Sequence, residues 1–440
     1  MIVGRTITRP YEPGRKKEIT FLWKPRIVLA ELIYKPGPDR LLFLQRVPDG
    51  KTAEITLVEG NKPLEWIKSY ARKEAIRLPR GIQDYGSFDE LVECCRGRIH
   101  AFFECDSKFE SVSTLYVLHT WIYERFKAVP YLRFCGLPQT GKTRGIEVIS
   151  SMCYHPHSIS GSITTAPIFR TIEASGGTTI IDEADFRDSD VGSDVMKILN
   201  CGYSQGQPVS RVEKDRGGQF VPRLYEVFGP KIIGGRERFK DEATESRCLS
   251  YTPSPNRREL PLQLPDEFDA DVAALQNQLL KWRLDTLETV TLNVEYVPSV
   301  SRRMNQIIQP LLTVADMMSA EERHRYRTDL LAFAQSADTR AREVSSESVE
   351  AAIVRVLADG IQRGASLTCK ELAEKILEAE QDNIAGLDRW LSANKVSRMV
   401  REMGFETRHT RNGAIVIADD QRLRALTARF GIVTESSPTA

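Results

Sequence analysis

The chain has 440 residues and a mass of 49.8 kDa, enough for two to four domains. Its 41% hydrophobic and 28% charged residues exclude a disordered or collagen-like polymer. A net charge of +1 excludes a uniformly basic surface, so affinity for a polyanion must come from local patches. No run approaches the roughly 18 apolar residues of a membrane span, and the start MIVGRTITRPYEPGRKK lacks the apolar stretch of a signal peptide. The 8 scattered cysteines, with no CxxC pair, fit a reduced, cytoplasmic chain.

Residues 1–108 read as an N-terminal α+β domain of open role. RIVLAELIY and RLLFLQRV predict two strands around the turn-like KPGPD, and KTAEITLVEG offers a third. Helices follow near Pro63–Arg77 and at Ser87–Cys95, where Ser87 and Glu90 have capping-box spacing. SVSTLYVLHTWIYERF predicts an amphipathic helix, and it leads into PYLRFCGLPQTGKTRGIEVISSMC, a strand, a loop and a helix. Alternating strand and helix signals run to about Thr252, as a parallel sheet with covering helices requires. The four prolines of 253–265 mark a linker, helical material fills 266–340, and SSES at 345–348 opens a last domain of helices ending in a hairpin.

Gly136, Leu137, Pro138, Gln139, Thr140, Gly141, Lys142 and Thr143 form GxxxxGK[ST] without a departure. The glycines let backbone N–H groups wrap a phosphate, and the helix after them offers its positive end to the same anion. Lys142 reaches the β- and γ-phosphates, and the Thr143 hydroxyl is a ligand for Mg²⁺. These residues predict ATP and Mg²⁺ as cofactors. About 40 residues on, the apolar strand TTII ends in Asp182-Glu183-Ala-Asp185. Asp182 is placed to hold the metal's water shell and Glu183 to polarise an attacking water, while Asp185 reads as a structural cap. Cys153, His155 and His157 lack a second cluster at zinc-site spacing and read as a loop, and Cys94, Cys95 and Cys105 read as buried thiols.

LHTW before PYLRF, GLPQTGKT, SITTAPIFRTIE, TTIIDEAD, ILNCGYSQGQPVSR and FGPKIIGG followed by ESRC carry a specific resemblance. From Ser111 to Pro253 the chain resembles the AAA+ ATPase core of MCM-like and superfamily 3-like helicases of mobile genetic elements, with a looser match through Ser301–Asp316. The resemblance implies an α/β fold: an AAA+ core at 109–264, a helical lid at 265–344, and a homo-oligomeric, hexameric ring. It also implies an arginine acting on a neighbouring subunit's γ-phosphate, matched by Arg247, and a lid arginine matched by Arg303, with Arg302 an adjacent competitor. One departure is that Gly234, Gly235 and Arg236 stand where such folds usually place a polar residue that orients water.

PVSRVEKDRGGQFVPRLYEV predicts a hairpin around Asp-Arg-Gly-Gly. In the resembling helicases a hairpin at this position lines the ring's pore, so Arg211, Lys214 and Arg216 become candidates for single-stranded DNA contact. Residues 345–440 read as a winged helix: a helix at about 347–361, a second from Thr368 with Glu371 at capping-box spacing, a third after Ser392, then FETRHT and AIVIA around an Asn-Gly turn. Lys395, Arg398, Arg401, Arg408 and Arg411 make its third helix and wing basic, as docking on duplex DNA requires. Three readings follow: a self-loading DNA helicase or translocase, a DNA-binding initiator or defence-type switch that assembles without unwinding, and a non-enzymatic winged-helix regulator.

Overall fold

The computed structural model describes residues 30–46, 52–56, 62–159, 165–182, 190–214, 217–239, 241–254, 257–346, 348–362, 366–380, 391–411, 413–417 and 419–432. The chain is an α/β protein with a five-stranded parallel sheet and divides into two compact units, Met1–Ala334 and Gln335–Ala440. Among the described residues no helix is long and apolar enough to cross a membrane.

In the first unit, strands Ala30–Lys35 (β1), Arg40–Arg46 (β2) and Thr52–Thr56 (β3) form an antiparallel sheet, followed by helix Lys62–Arg72 (α1). The turn between β1 and β2 closes on Asp39, whose carboxylate takes Tyr34 Oη at 2.8 Å and Lys68 Nζ at 3.1 Å. Helix Phe88–Phe102 (α2) starts at the capping box formed by Ser87 and Glu90.

Helix Ser107–Thr120 (α3) departs from the amphipathic expectation, because every residue from Phe109 to Thr120 is buried. Its small polar residues tolerate this by returning their hydroxyls to the helix itself: Ser113 Oγ donates to Phe109 O at 2.7 Å and Thr114 Oγ1 to Glu110 O at 2.8 Å. A buried ionic network ties β1 to the rest of the unit. Arg283 Nε donates to Glu31 at 2.8 Å and its two Nη atoms to Glu124 at 2.9 and 2.7 Å, while Tyr154 Oη donates to Glu31 at 2.6 Å. Removing one member of such a set strands a buried charge at about 3–5 kcal/mol.

The parallel sheet consists of Tyr131–Phe134 (β4), His157–Ile159 (β5), Thr179–Ile181 (β6), Lys231–Gly234 (β9) and Cys248–Tyr251 (β10), in the order β10-β4-β9-β6-β5. Strands β4 and β9 are buried along their whole length, which suits their apolar residues, and the two charged residues within them, Arg133 and Lys231, are buried as well. Between the strands run helices Lys142–Ser151 (α4), Thr165–Ser175 (α5), Asp190–Cys201 (α6) and Glu242–Glu245 (α7), and strands Val209–Lys214 (β7) and Phe220–Tyr225 (β8) pair as a separate hairpin. Helices Glu267–Thr286 (α8), Arg302–Ala315 (α9) and Ala320–Ser346 (α10) follow.

The proline-rich segment expected as a linker is strapped down within this unit. The backbone N–H groups of Arg257 and Arg258 donate to Glu104 at 2.7 and 2.9 Å, and Arg144 donates to the carbonyls of Pro261 and Leu262 at 3.2 and 2.7 Å.

The second unit packs helices Val349–Gln362 (α11), Cys369–Glu380 (α12), Ala393–Glu402 (α13) and Asp420–Phe430 (α14) around one apolar core with the hairpin Thr407–Thr410 (β11) and Gly413–Val416 (β12). The capping box at Thr368 is present, with Glu371 N donating to Thr368 Oγ1 at 3.1 Å and Thr368 N to Glu371 at 2.8 Å. The expected hairpin is not the end of the fold. Helix α14 follows it, started by Asp419 and stopped at Gly431 with φ +66°, and it buries Leu423 and Phe430 in the core. The signal was present as an Asp cap, apolar spacing and a terminal glycine.

Candidate functional site

The loop 136–143 joins the carboxyl end of β4 to the first turn of α4. Its path depends on left-handed backbone at Gly141 (φ +88°) and at Gln139 (φ +66°), the latter a strained conformation for a residue with a side chain. A Cβ built on Gly141 meets nothing within 4 Å, so it is the backbone conformation and not crowding that calls for glycine there. Lys142 Nζ donates to Gly136 O at 2.6 Å and Leu137 O at 2.5 Å, folding the ammonium back over the loop. Thr143 is exposed on the first turn beside it. Helix α4 can come this close because Gly145 has no side chain: a Cβ there would lie 2.8 Å from Phe134 and 2.9 Å from Phe103.

Strand β9 lies between β4 and β6, with Phe134 opposite Gly234 and Ile181 opposite Ile233. Asp182, directly after β6, therefore emerges at the same sheet edge as the loop. Its carboxylate occupies the space a side chain on Gly234 would need, since a Cβ at Gly234 would stand 2.4 Å from Asp182 Oδ1 and 2.8 Å from Ile146 Cδ1. That accounts for a glycine at the position where the resemblance implies a polar residue. Arg236 contributes its carbonyl, which accepts from Gly136 N at 3.2 Å. Glu183 and Asp185 lie outside the described residues. Gly234→Ala is expected to cost about 1–3 kcal/mol from overpacking, read as a lower urea midpoint. Adding Asp182→Ala should restore part of it, and strict additivity of the two losses would show that the carboxylate is not the obstacle.

The two arginines converge elsewhere. Arg247 precedes β10 and Tyr131 N donates to its carbonyl at 3.0 Å, which places it at the amino end of the sheet. Its side chain is buried, donates to Asn200 Oδ1, and stacks 4.2 Å from the centre of the Tyr203 ring. Arg303, at the start of α9, approaches the same ring at 5.2 Å. Arg302 turns away and lines a surface cleft with Tyr296, Asn305, Gln306 and Gln309. Tyr203 O accepts from Val129 N at 2.9 Å. From Val129 to Gly136 the chain runs almost entirely extended, so the arginines stand on the order of 20 Å from their own phosphate loop at about 3.3 Å per residue. Neither can reach a nucleotide held there. This pairing has no sequence motif, and Tyr203 was not expected in it.

The hairpin β7–β8 has two unlike faces. On the inner one, Arg211 pairs with Asp194 at 2.6 Å and stacks over Phe169 at 4.6 Å, while Arg223 pairs with Glu173 at 3.1 Å. Arg211 is thus engaged as a strut of the hairpin's base. The outer face exposes Val212, Phe220 and Leu224 with Lys214, whose Nζ is 5.2 Å from the Phe220 ring centre. Arg216 lies outside the described residues. In the second unit Arg398, Arg401, Arg408 and Arg411 are exposed on α13 and the β11–β12 hairpin, and Lys395 is half-buried on α13. Among the described residues Arg398 pairs with the exposed Glu402 at 3.6 Å, and Arg401 Nε donates to Ser397 O at 3.0 Å.

Cys153, His155 and His157 are buried. His157 faces Ser175 Oγ at 3.2 Å and Thr179 Oγ1 at 3.0 Å through Nε2, so these residues build the interior behind β5.

No family model matches the chain, and no curated protein matches it. Among solved structures it is similar to a JCV helicase, at 14% identity over 55% of this chain and 60% of that one with a TM-score of 0.26. It is also similar to the apo C-terminal region of NrS-1, at 12% identity over 88% of this chain and 95% of that one with a TM-score of 0.35. The chain spans about 60% of the length of the JCV helicase chain it matches. At these scores the functional reading rests on the residues themselves.

Proposed function

We propose that the chain is an oligomeric, DNA-dependent ATPase of the AAA+ type, with α8 to α10 as a lid and the second unit as a winged helix, acting as a DNA helicase or translocase. The observation that carries the reading is the division of the sheet. The phosphate loop and Asp182 meet at its carboxyl edge, and two arginines without a carboxylate partner among the described residues meet at its amino edge. A nucleotide bound by one copy is then completed by the arginines of the next.

The residues fit the nucleotide and its metal. The loop N–H groups and Lys142 would hold the β- and γ-phosphates, and Thr143 with Asp182 would hold Mg²⁺, which when bound neutralises charge between those phosphates. Glu183 takes the proton of the attacking water as its oxygen bonds to the γ-phosphorus and the bond to the β–γ bridging oxygen breaks. Lys142, and Arg247 from the neighbour, stabilise the charge that develops on the departing oxygens.

For the DNA elements, the outer hairpin face with Lys214 suits a single strand, and Arg216 is the second cation that the turn sequence offers. The exposed cations of α13 and the β11–β12 hairpin suit duplex phosphates. A forked-duplex unwinding assay tests the reading: the wild type should separate strands only with ATP and Mg²⁺. Lys214→Ala with Arg216→Ala should abolish DNA-stimulated turnover while leaving duplex affinity near normal. Replacing Arg398, Arg401, Arg408 and Arg411 with alanine should flatten the slope of log affinity against log salt by about 0.7–0.9 per lost contact. A hairpin variant that unwinds at the wild-type rate would remove the helicase assignment and leave an ATPase that only assembles on DNA.

A further inference from the structure

The loop after α6 is held more firmly than a connection needs to be. Gly202 has no room for a side chain: a Cβ there would stand 2.5 Å from Lys231 Nζ and Val227 O and 2.6 Å from Ile198 O. Lys231, fully buried, donates to the carbonyls of Val227 and Gly229 at 2.9 Å each and to Gly202 at 3.4 Å. On the other side Val129 N donates to Tyr203 O at 2.9 Å, Gln205 N to Lys127 O at 3.0 Å and Gln205 Nε2 to Glu124 O at 2.8 Å. The residue fixed by all of this is Tyr203.

Its half-buried ring carries two guanidinium groups, Arg247 at 4.2 Å and Arg303 at 5.2 Å. They arrive from separate places, Arg247 from the residue before β10 and Arg303 from the first turn of α9. Arg247 is further oriented by Asn200 Oδ1, which also accepts from Thr244 Oγ1 at 2.9 Å, and Arg303 by Gln306 Oε1 at 2.7 Å. Among the described residues no carboxylate neutralises either arginine, and Arg247 Nε has no hydrogen-bond partner. Two like charges held against one aromatic ring, with no counter-ion among the described residues, are arranged for an anion that the chain itself does not supply. The charge of both arginines outweighs burial and holds the Tyr203 phenol below its ordinary pKa.

We infer that Tyr203 is a positioning residue: it holds Arg247 and Arg303 as a pair directed at the phosphates of a nucleotide bound by a neighbouring copy of the chain. The inference rests on the oligomeric ATPase reading above. It adds that the two arginines act as one unit with a shared aromatic support, so removing the support should resemble removing an arginine.

Tyr203→Leu fills the space but has neither π face nor oxygen. It should lower kcat for ATP about 10- to 100-fold, the scale of a misplaced catalytic group, with KM changed less than about 3-fold because the phosphate loop is untouched. Tyr203→Phe keeps the ring and should recover most of the rate. The decisive readout is mixing before assembly. Combined with Lys142→Ala subunits, Tyr203→Leu subunits should regain turnover, because an intact phosphate loop then meets an intact arginine pair. Arg247→Ala mixed with Lys142→Ala is the parallel control. If that control regains activity and the Tyr203→Leu mixture does not, Tyr203 serves its own chain and the inference fails alone. If neither mixture regains activity, action between subunits fails and the inference falls with it. Wild-type kcat in Tyr203→Leu also overturns it, and should Tyr203→Leu not fold, Tyr203→Met carries the same mixtures.

Discussion

Lys142→Ala is expected to weaken ATP binding by about 100-fold or more, while Glu183→Gln leaves affinity near wild type and stops turnover. The ammonium of Lys142 is held over the loop by the carbonyls of Gly136 and Leu137 at 2.6 and 2.5 Å, so it is already beside the space that phosphates would enter. Each charge-assisted hydrogen bond it transfers to a phosphate oxygen contributes about 1.5–3 kcal/mol. Two of them amount to two or more factors of ten in Kd at about 1.4 kcal/mol each. The glutamate contributes little to binding, because its work is done on the attacking water. Fluorescent-nucleotide titration of both variants separates the roles. Equal affinity in wild type and Lys142→Ala would remove the nucleotide site, and with it everything proposed about the arginines.

What could be read in advance was local in the chain. The phosphate loop, its flanking strand and helix, and the capping boxes at Ser87 and Thr368 depend on residues three to eight positions apart, and their geometry is stored in that spacing. Tertiary pairings left no such trace. Gly234 reads in the sequence as a missing polar residue, whereas in the structure the Asp182 carboxylate occupies the space of its absent side chain. Tyr203 joins Arg247 to Arg303, 56 residues apart in the chain, and belongs to no pattern. Arg211 reads in the sequence as a candidate for DNA contact, and in the structure Asp194 and Phe169 hold it against the hairpin's base. Helix α3 misled for a related reason: its serines and threonines look like a polar face, but a hydroxyl bonded to its own helix can be buried at little loss.

A steep loss of stability between pH 6.5 and 4 is also expected, and its source is three histidines in the first unit. Burial holds His119 and His157 down to about 4 and His155 to about 3. His119 Nδ1 lies 2.7 Å from Tyr116 O while its Nε2 has no partner among the described residues. His155 stacks on Tyr154 at 3.9 Å, and nothing among the described residues meets either ring nitrogen in hydrogen-bond geometry. All three are therefore neutral in the folded chain at pH 5, whereas in the unfolded chain, near the ordinary value of about 6.5, they are mostly protonated. The unfolded state binds more protons across this window, so stability falls as pH falls. Each histidine loses about 1.4 kcal/mol per pH unit, hence about 2 kcal/mol at pH 5. Together they remove about 6 kcal/mol, comparable to the whole margin of a typical domain of about 5–15 kcal/mol. Urea unfolding at pH 7.5, 6 and 5 measures this directly. His155→Phe keeps the stack on Tyr154 and has nothing to protonate, so it should reduce the pH dependence by about one third. An unchanged slope in that variant would mean that His155 reaches water and contributes nothing to the acid sensitivity.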